Sequence, residues 1–136
     1  MADFRDVSRK VAIVGVGESQ IGRIPNRNVF ELATEAMLLA LDDAGLELSD
    51  VDGIFSGGPG GNTFAQVTDY LGIIPKYIDA TSVGGTSYIM HVEHAVAAIA
   101  AGFCDVALII HGEGAGSRVG MPGQGQSANT YPGQFE

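Results

Sequence analysis

The chain has 136 residues, enough for one domain with a core that hides more than half of the unfolded surface. Apolar residues make up 46% and charged residues 17%, a balance that argues for a globular protein and against disorder. Sixteen acidic residues against seven basic ones give a net charge of −9, which sets nucleic acid aside as a partner, because phosphate contacts need clustered Lys and Arg.

The first predicted element is Val11–Val16, a continuous run rich in β-branched residues, as expected of a strand covered on both faces. Asn28 reads as a helix N-cap, with Glu31 as its capping-box partner. Val29, Leu32, Ala33, Ala36, Met37, Ala40 and Leu41 then recur at helical spacing, and Gly45 stands where a glycine ends a helix. Val51–Phe55 is a short strand, and Thr63–Leu71 a helix that stops at Gly72 ahead of Pro75. Tyr77–Val83 (strand), Thr86–Ala101 (Ala-rich helix) and Asp105–Ile110 (strand) complete the series. This alternation implies right-handed crossovers, a mainly parallel sheet and a three-layer α/β domain. Val11–Val16 and Asp105–Ile110 are expected as central strands, Thr86–Ala101 as the buried helix, and Tyr77, Ile78 and Ala80 as a sheet edge open to another chain. After Ser117 the Gly, Pro and Gln content favours loop, so the reading is a domain over 1–117 and a loop or flexible tail over 118–136.

No apolar run reaches the length of a membrane span, and the charged start (Asp3, Arg5, Asp6, Arg9, Lys10) is not a signal peptide. The single cysteine, Cys104, excludes an internal disulfide and fits a reducing cytoplasm.

Several motifs invite a function. Gly15-Val16-Gly17 follows a predicted strand, but Gln20 stands where a dinucleotide fingerprint has its third glycine. Gly57-Gly58-Pro59-Gly60-Gly61 lacks the Gly-Lys-Ser/Thr ending of a phosphate loop and reads as a connection. His91, Glu93 and His94 share a helix without the spacing of a zinc site, so a structural role is expected and no metal is assigned. Cys104, just before an apolar strand, reads as a small buried hydrophobe. His111 and Glu113 lie at the carboxyl end of a predicted parallel strand, where open α/β sheets bind ligands. Ser82 ends a strand at a Gly84-Gly85 turn, near the N-terminus of the following helix, where free N–H groups and the dipole favour negative charge. Two roles remain open for it: a cap for that helix, which is preferred, and a nucleophile.

These residues together resemble the N-terminal half of the thiolase superfamily, in particular its sterol-carrier-protein-type branch. The likeness is carried by Ser82-Val83-Gly84-Gly85, Ala98-Ile99-Ala100-Ala101-Gly102, Asp105-Val106 and Glu113. Val11-Ala-Ile-Val-Gly15-Val-Gly17, Ala40-Leu-Asp-Asp-Ala-Gly45, Asp50-Val-Asp-Gly53-Ile and Asp69-Tyr-Leu-Gly72 extend it across roughly residues 10 to 118. The resemblance implies that Ser82 stands at the family's nucleophilic cysteine, and that Gly84, Gly85 and His111 line the substrate site. His111 replaces a family glycine, and Glu113 matches a glutamate of mainly structural role. It also implies an acyl-CoA thioester as substrate with no bound cofactor, a homodimer, and in Cys-lacking members an OB-fold, zinc-ribbon partner protein. Relative to the family the chain reads as truncated, with a second half expected to supply the catalytic His and a further Cys.

A thiolate forms readily at a helix N-terminus, whereas a serine needs an adjacent base. The likeness to Cys-lacking members of that branch then implies Cys-independent retro-aldol cleavage of a β-hydroxyacyl-CoA such as a steroid side chain. The alternatives are an acetyl-CoA acetyltransferase-type acyltransferase and a non-catalytic fragment or scaffold subunit. The chain alone is expected to be inactive.

Overall fold

A computed structural model describes residues 7–22, 24–57 and 64–112. The elements run α1 (Val29–Ala44), β1 (Gly53–Phe55), α2 (Phe64–Leu71), β2 (Tyr77–Asp79), α3 (Ser87–Ala100) and β3 (Ala107–Ile109), with a 3₁₀ turn at Leu48–Asp50. The three strands form a parallel sheet in the order β2-β1-β3.

Local chemistry accounts for the helix ends. Asn28 Oδ1 accepts from the Glu31 N–H at 3.0 Å, and Glu31 Oε2 accepts from the Asn28 N–H at 2.6 Å, closing the capping box of α1. At the other end Gly45 adopts φ +67°, and the Leu46 N–H reaches back to the Leu41 carbonyl at 2.9 Å. Gly72, at φ +68°, ends α2 in the same left-handed way.

Two cores flank the sheet. Ala33, Met37 and Leu41 of α1 pack with Val51, Ile54, Leu108 and Ile110 on one face. On the other, Ala95 and Ala98 of α3 pack with Phe55 and Cys104, bordered by Tyr77, Ala107 and Ile109. The result is a three-layer α/β arrangement with α1 and α3 on opposite sides of a parallel sheet. Gly53 is required at the start of β1 because a Cβ there would sit 2.7 Å from Cys104 Sγ. Asp52 ties the amino ends of all three strands together. Its Oδ1 accepts from the N–H groups of Asp105 (2.9 Å) and Val106 (2.8 Å), and its Oδ2 from Lys76 Nζ (2.9 Å).

The structure corrects the sequence reading in three places. Val11–Val16 forms no strand of the sheet, and Ile13, Val14 and Val16 are 75%, 61% and 73% exposed. Both hydrogen-bonding sides of β1 are occupied, by β2 and β3, so the central position belongs to Gly53–Phe55 and β3 lies at an edge. The segment lies along α1 instead: Cβ atoms on Gly15 and Gly17 would meet the Ala40 and Ala36 carbonyl oxygens at 2.2 and 2.1 Å, and the Val16 N–H donates to Asp43 Oδ2 at 3.0 Å. Those two glycines serve close packing of backbone on helix. The third correction concerns α3, which buries Ser87, His91, Ala95 and Ala98 but leaves Ile89 75% exposed on its opposite side. Its alanine stripe meets the sheet as expected, yet the helix is covered on one face only. The edge position of β2 agrees with the reading of Tyr77 and Ile78. The boundary near Ser117, and Gly58–Gly61 of the glycine-rich connection, lie outside the described residues.

Candidate functional site

Parallel strands deliver all their carboxyl ends to one side of the sheet, and α3 begins on that side. β1 runs out into Ser56 and Gly57, β2 into Thr81 and Ser82, and β3 into Ile110 and His111. The ends are joined by backbone bonds: the Ser56 N–H donates to the Asp79 carbonyl, and the Ile110 N–H to the Phe55 carbonyl, both at 3.0 Å.

The connection from β2 to α3 is held by named side chains. The Thr81 N–H donates to Asp79 Oδ1 at 2.8 Å. His91, fully buried on α3, places Nε2 2.9 Å from the Thr81 carbonyl. A carbonyl can only accept, so Nε2 carries the hydrogen. His91 Nδ1 is buried and has no hydrogen-bond partner among the described residues. Ser87 Oγ accepts from the Val83 N–H at 2.9 Å and donates to the Gly84 carbonyl at 2.6 Å. Gly84 has φ +85°, a conformation that L side chains rarely adopt, so glycine is needed there. Gly84 and Gly85 are both exposed, with open space where a Cβ would point.

Ser82 is exposed, and α3 begins only at Ser87, behind Thr86 at the cap position. Ser82 is therefore not the helix cap, contrary to the preferred sequence reading. The reason is the length of the Gly84-Gly85 turn, which hands the bonding role to Ser87. His91 is committed to Thr81, and His94 pairs through Nδ1 with Asp79 Oδ2. Among the described residues neither ring is hydrogen-bonded to Ser82. Glu93 points to solvent, so the His91, Glu93 and His94 set diverges, and no group of three or more His, Cys, Asp or Glu among the described residues is placed to hold a metal ion.

His111 is exposed at the end of β3, and its ring centroid lies 4.2 Å from that of Tyr88, with the planes tilted by 50°. Tyr88 in turn meets His91 edge-on, at 5.8 Å and 82°. A methyl group placed on Gly57 would lie 3.5 Å from the Tyr88 hydroxyl oxygen and 3.9 Å from Ser82 Oγ. The fold thus brings together Ser82, Tyr88, His111 and Gly57 around a small space at the carboxyl ends of the strands. Sequence reasoning found Ser82 and His111 but missed Tyr88, whose position one residue into α3 depends on where the helix starts. It also missed the pairing of Asp79 with His94. Burial pushes the Asp79 carboxyl up, but hydrogen bonds from Thr81 and His94 outweigh it and hold the group below the usual carboxylate range. Cys104 is a buried part of the core; burial, then the charges of Asp52 and Asp105, raise its thiol above the ordinary range, as suits an inert residue. Glu113 lies outside the described residues.

Two hydroxyls, one of them beside a helix N-terminus, form a setting suited to an oxygen that gains negative charge. An alkoxide nucleophile needs a base hydrogen-bonded to the serine, and no histidine among the described residues makes that bond to Ser82.

No protein-family profile matches the chain. It is 37% identical over 101 residues to a 17-hydroxy-3-oxo-4-pregnene-20-carboxyl-CoA lyase of Mycobacterium tuberculosis, a match covering 74% of this chain and 26% of the lyase. Among solved structures, an Ltp2-ChsH2(DUF35) aldolase superposes with a TM-score of 0.65 at 33% identity, covering 72% of this chain and 26% of the other. A monomeric SCP2-thiolase like protein type 1 of Mycobacterium smegmatis superposes with a TM-score of 0.57 at 31% identity, covering 73% of this chain and 22% of that one. The chain spans about a quarter of the length of the relatives it matches.

Proposed function

Because the chain belongs, over the residues matched, to the thiolase-like proteins of the sterol-carrier-protein type, we propose that it forms part of an acyl-CoA lyase that cleaves a carbon–carbon bond by a retro-aldol reaction. The substrate class is a β-hydroxyacyl-CoA, of which a steroid side chain is one instance. The observation that carries this reading is Ser82: a serine stands where the thiolase pattern has its cysteine, and no histidine among the described residues is hydrogen-bonded to it. Thiolysis needs an acyl-enzyme, and hence a nucleophile that this position does not supply. A retro-aldol reaction needs only a base for the β-hydroxyl proton and donors for the enolate oxygen that forms as the bond breaks. The names of the lyase and aldolase relatives support the same chemistry.

The thioester end would rest against the Ser82–Gly85 turn, with His111 beside the acyl chain. Remaining parts of the site would come from further polypeptide, either a second half or a partner subunit of the OB-fold, zinc-ribbon kind; the two-part name of the Ltp2-ChsH2(DUF35) aldolase supports a partner. The free edge of β2 is the proposed contact for a second copy, and sedimentation showing only monomer at high concentration would count against that contact. The test of function is to supply the chain, with and without a completing subunit, with a β-hydroxyacyl-CoA and separately with a β-ketoacyl-CoA plus free CoA. Cleavage of the first only, by the completed enzyme only, is expected. Thiolysis by the chain alone, abolished by Ser82→Ala, would restore the acyltransferase.

A further inference from the structure

Tyr88 occupies the point where the three strand ends converge. It follows the first residue of α3, so its ring leans over the carboxyl ends rather than down the helix. His91 holds the ring from below by an edge contact, and His111, arriving from β3, covers it at 4.2 Å. Fixed on two sides, the ring presents its hydroxyl above Gly57 at the end of β1, with Ser82 Oγ facing the same space. Gly57 has no positive φ that would demand glycine, and alanine there would make only ordinary contacts. A small group over Gly57 would therefore stand within reach of two hydroxyls.

We propose that Tyr88 is a substrate-binding residue whose hydroxyl donates a hydrogen bond to the thioester carbonyl oxygen, seated over Gly57 opposite Ser82. A phenol suits this task, since at neutral pH it is a neutral donor and stays protonated while the acceptor oxygen gains charge. The same bond strengthens as the enolate forms, so it acts on the cleavage step as well as on binding. Gly57 sets specificity by keeping the space open for that oxygen. This assignment rests on the acyl-CoA reading above.

The experiment is calorimetric titration of the 136-residue chain with acetyl-CoA and, separately, with free CoA, which lacks the thioester oxygen. The intact chain is expected to bind acetyl-CoA about five- to tenfold more tightly than CoA, the worth of one neutral hydrogen bond. Tyr88→Phe keeps the ring and its packing on both histidines, and is expected to abolish the preference while leaving CoA affinity unchanged. Gly57→Ala is expected to abolish it too, with the tyrosine still present. A Tyr88→Phe chain that keeps the full preference would overturn the role of Tyr88 and leave the acyl-CoA reading standing. Binding of neither ligand, by the intact chain alone or with its completing subunit, would overturn both.

Discussion

Two serines five residues apart exchange the roles that their sequence context implies. Ser82 follows a strand and precedes a glycine pair, the setting of a cap, yet it is exposed and outside the helix. Ser87 carries no such signal, but bonds to both Val83 and Gly84 and is 2% exposed. The difference lies in the conformation of Gly84, whose positive φ turns the chain before the helix can start. Ser82→Ala should therefore change stability to urea by no more than about 0.5 kcal/mol, as is usual for an exposed side chain. Ser87→Ala should cost about 0.5–1.5 kcal/mol, because it deletes the hydrogen bonds that this buried hydroxyl makes to the Val83 N–H and the Gly84 carbonyl. The two unfolding curves decide it: a larger loss from Ser82→Ala would return the capping role to that residue.

At the scale of elements, what was legible was local. Asn28, Glu31 and Gly45 bound α1 because caps and left-handed glycines act within one turn, and Gly72 stops α2 for the same reason. Strand pairing is not local. The apolar run Val11–Val16 satisfies the pattern of a central strand, but whether it enters the sheet depends on which backbone is free to pair, and β1 has no free side. Gly15 and Gly17 were readable as special positions, though the helix they pack against was not. Asp52 was likewise quoted only as part of a motif, while the fold makes it the tie between β1 and the starts of β2 and β3. Burial pushes its carboxyl up, but the Val106 N–H, the Lys76 ammonium and the Asp105 N–H outweigh this and hold it low. A carboxyl lowered on folding stabilises the native state above its unfolded-state range, and that contribution disappears as pH falls through the folded value. Asp79 acts in the same direction. The urea midpoint should hold between pH 7 and about 5 and fall below about 4, and Asp52→Asn should lower it at neutral pH while flattening the acid decline. An unchanged acid decline in Asp52→Asn would assign it to other groups.

For the molecule as a whole, three parallel strands with α1 and α3 on opposite faces dictate where chemistry can sit. One end of the sheet is closed by Asp52 and Lys76, and the other gathers Gly57, Ser82, Tyr88 and His111. That end was foreseen for Ser82 and His111, since carboxyl ends of parallel strands bind ligands. Their convergence on Tyr88 was not, because it needs the sheet order and the start of α3 together. Surface hollows occur elsewhere, one lined by Gln66, Asp69, Gly72 and Ile74 after α2, another by Arg27, Glu35, Leu38 and Tyr70 along α1. Neither lies at the carboxyl ends of the parallel strands, where Ser82 and Tyr88 stand. The most direct measurement is therefore amide chemical-shift mapping of the chain titrated with acetyl-CoA. The account predicts that the shifts gather at Ser56, Gly57, Ser82–Tyr88 and Ile110–Gly112, and are weaker in Tyr88→Phe. Shifts gathered at Gln66–Ile74 or along α1, with the strand ends unmoved, would contradict it.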